Sequence, residues 1–195
     1  MFSIEVAALA QVHWDIGAQL GVMQRLTTDR DASARQPDPG PMGELHAHVA
    51  LLPMLRLGAY VSHDVVLGPV DRQTTELGLR AKVTPPVLAA PWRGWAFLGF
   101  GYARSYRPSH WLDQGALGSG LVGGAEGEIG DALFGVGIGT RFRAPWVLYA
   151  ELAGRVGLAF SGALYDRTAC SCLRDPYPGH DSFAGSLSVG LSLDP

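Results

Sequence analysis

Apolar side chains alternate with polar residues or glycine along most of this chain. In the segment 74–84, for example, Leu77 and Leu79 alternate with Gly78 and Arg80. A period of two places successive side chains on opposite faces of a β-strand, so each such run is predicted to be a strand with one apolar and one polar face. The predicted strands are about His13–Leu26, about Gly43–Leu52, Leu55–Val65, Thr74–Thr84, Trp92–Tyr106, about Glu128–Arg143, Trp146 to about Leu164, and Phe183–Leu193.

The connections between these eight runs carry a second pattern, because long and short ones alternate. Leu52-Pro53-Met54 and Ala144-Pro145 are tight, and Pro85–Pro91 is moderately longer. Alternation places every long connection at one end of an up-and-down barrel. The sequence therefore predicts an all-β fold, an eight-stranded antiparallel up-and-down transmembrane β-barrel. The connections predicted to be long are Asp29–Met42, Gly68–Gln73, Arg107–Gly127 and Tyr165–Ser182.

Composition bears on which face of the predicted strands points outward. Hydrophobic residues make up 47% of the chain and charged residues 17%, against about 25% charged in an ordinary soluble domain. Lys82 is the single lysine. A face made of Gly, Ser, Arg and Glu with almost no lysine is a poor water-facing surface. These numbers favour a barrel with its apolar face in lipid over a soluble lipocalin-like barrel with its apolar face inside.

The tryptophans agree with this orientation, and two other classes of protein are excluded. Trp14, Trp92, Trp95 and Trp146 lie near predicted strand ends, where aromatic girdles meet the membrane interfaces. No run approaches the ~20 apolar residues of a transmembrane helix. The net charge of −3, without a basic stripe, gives no indication of nucleic-acid binding.

The last predicted strand contains a motif that adds a family resemblance. Ser188-Val189-Gly190-Leu191-Ser192-Leu193 has the polar-x-Gly-apolar-x-apolar order of the signal that the barrel assembly machinery reads. With its eight runs and alternating connections, the chain resembles the small eight-stranded outer-membrane barrels typified by OmpA and OmpX. It differs in ending Asp194-Pro195, without a terminal aromatic residue. The resemblance implies the bacterial outer membrane, lipid contact along the wall, termini in the periplasm and long loops outside the cell.

The chain is predicted to form one barrel domain, residues 13–195, preceded by an N-terminal segment, 1–12, that is separate or extends the first strand. The N-terminus has no basic region and carries Glu5 where a signal peptide is apolar, so we expect a mature or truncated form whose export signal is missing. A cytoplasmic protein that never had such a signal is the alternative.

If the polar face lines the barrel, it carries many charged side chains into a narrow interior. Eight strands leave an interior just wide enough for side chains to fill. Buried charges must pair, so the sequence predicts a plug of arginine–carboxylate bridges rather than a narrow path that favours anions. The predicted lumen network is Asp15, Arg25, Glu44, His46, His48, Arg56, Glu76, Arg80, Lys82, Arg141, Arg143, Glu151 and Arg155.

Candidate chemistry in the chain is sparse. His46 and His48 share a strand face, and we expect them to bond to carboxylates rather than to bind metal. Cys170 and Cys172 are a possible disulfide or loop site, and with His180 and Asp175 they could bind zinc, but we expect a locally pinned loop or free thiols. Serines and histidines such as His110 and His180 near the long connections show no ordered triad spacing, so a lipid A-modifying acyl enzyme is only an alternative. The prediction is a non-enzymatic barrel with no catalytic residue, metal or cofactor, which contacts a surface partner through segments 29–42, 107–127 and 165–182.

Overall fold

The computed structural model describes residues 13–27, 39–66, 72–106, 127–158 and 182–195. Several predicted features lie outside these ranges. They are the N-terminal segment, most of the long connections, Cys170 and Cys172, and the part of the predicted seventh strand beyond residue 158. No helix long and apolar enough to cross a membrane occurs in the described part of the chain.

Eight antiparallel strands form one closed barrel in chain order, in which the first strand pairs with both the second and the eighth. Closure gives every strand two neighbours, which removes the exposed edges of an open sheet. The strands are 12 to 17 residues long, more than the ~9–11 that a tilted strand needs to cross a bilayer. Their bounds are β1 Trp14–Thr27, β2 Gly40–Leu52, β3 Leu55–Val66, β4 Arg72–Val83, β5 Trp92–Tyr106, β6 Gly127–Arg143, β7 Trp146–Leu158 and β8 Ser182–Leu193.

The connections fall at two ends of the barrel. The short-turn end carries 53–54, 84–91 and 144–145, and the long-loop end carries 28–39, 67–71, 107–126 and 159–181. The predicted strict alternation of length was wrong at one place. The β3–β4 connection at the long-loop end has five residues and is shorter than the β4–β5 connection at the short-turn end, because β4 begins at Arg72 rather than Thr74 and ends at Val83.

The apolar row of each strand points away from the barrel. Leu20 is 72% exposed, Leu79 70% and Leu98 69%, whereas the residues between these rows are mostly buried. Alternation gives each strand an apolar and a polar face. Because the sheet closes with the polar faces inside, the apolar faces form the outer surface. The outer surface is therefore a continuous apolar wall.

The tryptophans are divided between the two faces. Trp14, Trp92 and Trp146 are exposed on the outer surface at the short-turn end. Trp95 is 7% exposed and lies inside the barrel, so its predicted place in an aromatic girdle was wrong. The physical reason is that β5 carries aromatic residues on both faces, and the hydrogen-bonded register with β4 and β6 places Trp95 inward opposite Gly137.

Glycines on the inward face make room for these large interior side chains. A Cβ on Gly137 would collide with the Trp95 indole, and one on Gly190 would collide with the Tyr149 ring. Each glycine lies beside a bulky residue of a neighbouring strand, so the pairs fill the interior without forcing the strands apart. The glycine-rich polar face is thus a requirement of interior packing.

Candidate functional site in the barrel interior

The middle of the barrel is crossed by Arg80 of β4. Its Nη1 donates to Glu44 Oε1 at 3.1 Å and to Glu151 Oε2 at 3.1 Å, and its Nε donates to His48 Nε2 at 3.1 Å. The guanidinium carbon also lies 4.8 Å from the centre of the Phe97 ring. Arg80 is 2% exposed, so its charge is balanced inside the protein by side chains from β2 and β7.

Trp95 supports the same cluster from β5. Its indole Nε1 donates to Glu151 Oε1 at 2.8 Å, which leaves the other oxygen of that carboxylate for Arg80. The Lys82 ammonium lies 4.2 Å from the centre of the Trp95 ring, a cation–π distance. Sequence analysis assigned this tryptophan to the outer surface and so missed a central member of the interior network.

Arg155 of β7 links the residues around Arg80 to Glu76 of β4. Its Nε donates to Glu76 Oε2 at 2.8 Å, and its Nη2 lies 3.5 Å from Glu44 Oε2. The hydroxyl of Tyr60 donates to the other oxygen of Glu76. Glu44 therefore faces both Arg80 and Arg155, and the two arginines belong to one continuous network.

A separate ion pair lies toward the long-loop end. Arg25 of β1 makes a two-pronged contact with Asp64 of β3, from Nε at 2.9 Å and from Nη2 at 2.7 Å. Asp131 of β6 lies 3.9 Å from Nη1 of the same arginine. The apolar side chains of Met23, Met42 and Ala184 form a small buried cluster. Asp64 and Asp131 were absent from the predicted network although their sequence parity places them on the inward faces of β3 and β6.

The short-turn end is gathered around Asp194, just beyond β8. Arg56 Nη2 donates to Asp194 Oδ1 at 3.1 Å, and Arg93 Nη1 donates to Oδ2 at 3.0 Å. Arg141 donates to the Asp194 backbone carbonyl at 3.0 Å. These residues line an open cleft of about 600 Å³. Asp194 was also missing from the predicted network. Ser192 of β8 points inward, and continuing the alternation by two residues predicts that Asp194 points inward as well.

The structure places the thirteen predicted lumen residues at different depths. Arg56 is half-buried, and the arginines at the end of β6 differ from the prediction because they are exposed at the barrel rim. Arg141 keeps the inward parity of β6, opposite buried Val147, but lies at the open end of the barrel, whereas the irregular pairing after Arg141 ends that parity before Arg143. The ten buried residues are Asp15, Arg25, Glu44, His46, His48, Glu76, Arg80, Lys82, Glu151 and Arg155.

The comparisons with known proteins bear on the fold. No protein-family profile matches the chain, and no curated protein sequence matches it significantly. Among solved structures, Neisserial surface protein A has a TM-score of 0.64 at 12% identity, over 93% of this chain and 97% of that one. The outer membrane protein OprG from Pseudomonas aeruginosa has a TM-score of 0.52 at 8% identity, over 94% and 96%.

The N-terminal β-barrel domain of OprF, also from Pseudomonas aeruginosa, has a TM-score of 0.50 at 12% identity, over 94% of this chain and all of that one. These matches run along nearly the full length of both chains, and they rest on strand number, order and closure rather than on shared residues. The chain therefore has the fold of the small eight-stranded outer-membrane β-barrels.

Proposed function

We propose that this chain is a non-enzymatic integral protein of the bacterial outer membrane, with a closed interior and with surface contacts made by its long connections. The observation that carries the proposal is the direction of the two faces. Large apolar side chains such as Leu98 and Leu187 are exposed over the whole wall, while Arg80 and Arg155 are buried. Water would disfavour such a surface, whereas lipid favours it.

The closed wall, the exposed tryptophans and a motif in β8 support a place in the outer membrane. A closed barrel satisfies its backbone hydrogen bonds between strands, which is one of the two ways a chain can cross lipid. The exposed tryptophans at the short-turn end match an interfacial girdle. The polar-x-Gly-apolar-x-apolar motif in β8 gives the barrel assembly machinery a signal to read.

The ion pairs in the middle of the barrel support a structural role for the interior. Arg80 joins carboxylates from β2 and β7 across the barrel, and Arg155 joins carboxylates from β2 and β4. Contacts that cross the interior in several directions hold opposite walls together. They also occupy the space that an ion path needs, since an eight-stranded barrel is only about one layer of side chains wide inside.

Planar-bilayer recording tests the closed interior. The native chain is expected to show no stable channel openings, because its central cross-section is occupied by paired side chains. The double variant R80A/E151A shortens two central side chains and leaves Glu44 paired with Arg155, so stable openings are expected there. Detergent alone and a conducting porin serve as negative and positive controls. Stable single-channel steps from the native chain would contradict a closed interior.

The orientation of the barrel is tested by epitope insertion. A tag after Gly115, in the long β5–β6 connection, is expected to be accessible to antibody on intact cells, because long loops of outer-membrane barrels face outward. A matched tag after Pro86, in the β4–β5 connection, is expected to be accessible only after the outer membrane is permeabilised. Accessibility of the Pro86 tag on intact cells would reverse the proposed orientation and assign surface contacts to the other end.

A further inference from the structure

Closure of the barrel brings Asp15 of β1 against the two histidines of β2. The register pairs Asp15 with His48 and Gly17 with His46, so the carboxylate and both imidazoles share the inward face of two adjacent strands. One oxygen or nitrogen atom from each of these three side chains lies within 4.8 Å of the other two, and all three residues are buried. The sequence placed only the two histidines together, on one face of a strand.

His46 is the informative member of this cluster. It is 4% exposed, and neither of its ring nitrogens has a hydrogen-bond partner among the residues that the structure describes. Nε2 lies 4.0 Å from Asp15 Oδ1 and Nδ1 lies 3.7 Å from Glu44 Oε1, so both nitrogens face carboxylates without bonding to them. A buried imidazole without partners is costly. A cation bound between the imidazole and a carboxylate removes that cost.

The carboxylates of Asp15 and Glu44, which face His46, supply negative charge for an added cation. Among the described residues, seven carboxylates and four basic side chains are buried. Arg56, Arg93 and Arg141 pair with Asp194 at the short-turn end, and Arg56 also pairs with Asp15, so with these three arginines the acidic and basic side chains are equal in number. Arg56 and Lys82 also approach Asp15, through its other oxygen, Oδ2, so that Oδ1 is the atom directed at the histidines.

We propose that Asp15, His46 and His48 bind a divalent transition-metal ion, with Zn²⁺ as the expected occupant, inside the barrel toward its short-turn end. Two imidazoles and one carboxylate are a three-residue ligand set that suits zinc and leaves a fourth position to water. Ligand atoms bound at about 2.0–2.2 Å to a tetrahedral ion stand roughly 3.3–3.6 Å apart. To bind the ion, His46 Nε2 moves toward Asp15 Oδ1 from its present 4.0 Å, and the 2.7 Å contact between His48 and Asp15 opens.

His48 can enter the site without breaking the central ion pairs. Its Nδ1 lies 2.7 Å from Asp15 Oδ1, and its Nε2 accepts from Arg80 Nε, so the Nδ1 proton lies between His48 and Asp15. The ion takes the place of that proton at Nδ1, and the proton moves to Nε2, so that the ring stays neutral. Arg80 then gives up one contact to His48 and keeps its Nη1 bonds to Glu44 and Glu151.

Metal content of the folded chain tests this site. The protein carries C170S and C172S to remove the loop thiols, is refolded in detergent with Zn²⁺ alone or Co²⁺ alone, and is desalted. One ion per folded chain is expected. H46Q and H48Q are expected to lower the affinity at least tenfold, since even substitutions of groups that only support a ligand cost about 10–100-fold. H63Q is the matched control, because His63 is an exposed histidine of β3 outside the cluster.

Absence of a stoichiometric ion in the refolded chain, or equal loss of the ion in H63Q, would overturn the proposal. Folding of each variant is checked by its heat-dependent mobility in gel electrophoresis. If H46Q or H48Q does not fold, electron paramagnetic resonance of the Cu²⁺-loaded chain without those substitutions decides the matter. Hyperfine coupling to two imidazole nitrogens supports the site, and coupling to one or none overturns it.

Discussion

Replacing Arg80 with methionine is expected to destabilise the barrel by about 3–5 kcal/mol, the cost of removing one partner from a buried ion pair. The substitution removes the donor that serves Glu44, Glu151 and His48 together. Arg155 remains near Glu44, whereas Glu151 keeps only the neutral Trp95 indole as a hydrogen-bond partner among the contacts described above. The measurement is the free energy of unfolding by urea in lipid vesicles, with strand content followed by circular dichroism.

Two variants separate loss of the buried pair from loss of an arginine as such. R93M removes an arginine that is about half exposed and pairs with Asp194 at the short-turn end, so a change of at most about 1 kcal/mol is expected. R80M/E151Q removes the charge left alone by R80M, and it is expected to recover a large part of the lost stability. If R80M lowered the free energy of unfolding by no more than R93M, the interior would be hydrated enough to screen these charges. The prediction of an interior closed by ion pairs would then be wrong.

An arginine at Leu98 is expected to destabilise the membrane-inserted barrel by about 2–4 kcal/mol, the range for arginine on the lipid face near the bilayer midplane. Leu98 is 69% exposed and lies near the middle of β5, between Ala81 and Phe134 on the neighbouring strands. A guanidinium at this position has no partner in the hydrocarbon and must reach toward an interface. The measurement is again unfolding in vesicles, together with the inserted fraction.

Val87 supplies the matched control for L98R. It is 71% exposed, as Leu98 is, but it lies in the β4–β5 connection outside the strands. V87R is therefore expected to change the free energy of unfolding by only about 0.5 kcal/mol, as surface substitutions commonly do. In a soluble barrel both arginines would face water and both would be tolerated. Equal tolerance of L98R and V87R would therefore contradict the membrane assignment.

Much of the fold was predictable because a strand with two different environments carries its faces in its own sequence. The start and end of β5 were predicted as the structure has them, and most other strand ends differ by one to three residues. The interior network was predictable only as a set of inward residues. Arg25 and Asp64 are 39 residues apart, and Arg80 and Glu151 are 71 apart, so only the register and curvature of the closed sheet pair them.

The failures have a common physical origin in strand ends and aromatic strands. Trp95 was misplaced because β5 has large side chains on both faces, so the alternation of polarity does not show which of its residues point inward. Arg143 was assigned inward because the irregular pairing beside the 144–145 turn has no signature in polarity, and Arg141 is exposed because it lies at the rim of the barrel. Asp131 and Asp194 do follow the parity of their strands, and strict extension of that parity finds them.

The sequence by itself determined that this chain forms eight strands, each with an apolar and a polar face, and where those strands are connected. That information is local, because a period of two and a proline or glycine at a turn act within a few residues. Only the tertiary structure decided which side chains meet across the interior. Closing the sheet brought Asp15 against His46 and His48 and surrounded Arg80 with hydrogen-bond acceptors. These contacts depend on strand register, which the pattern of polarity alone does not encode.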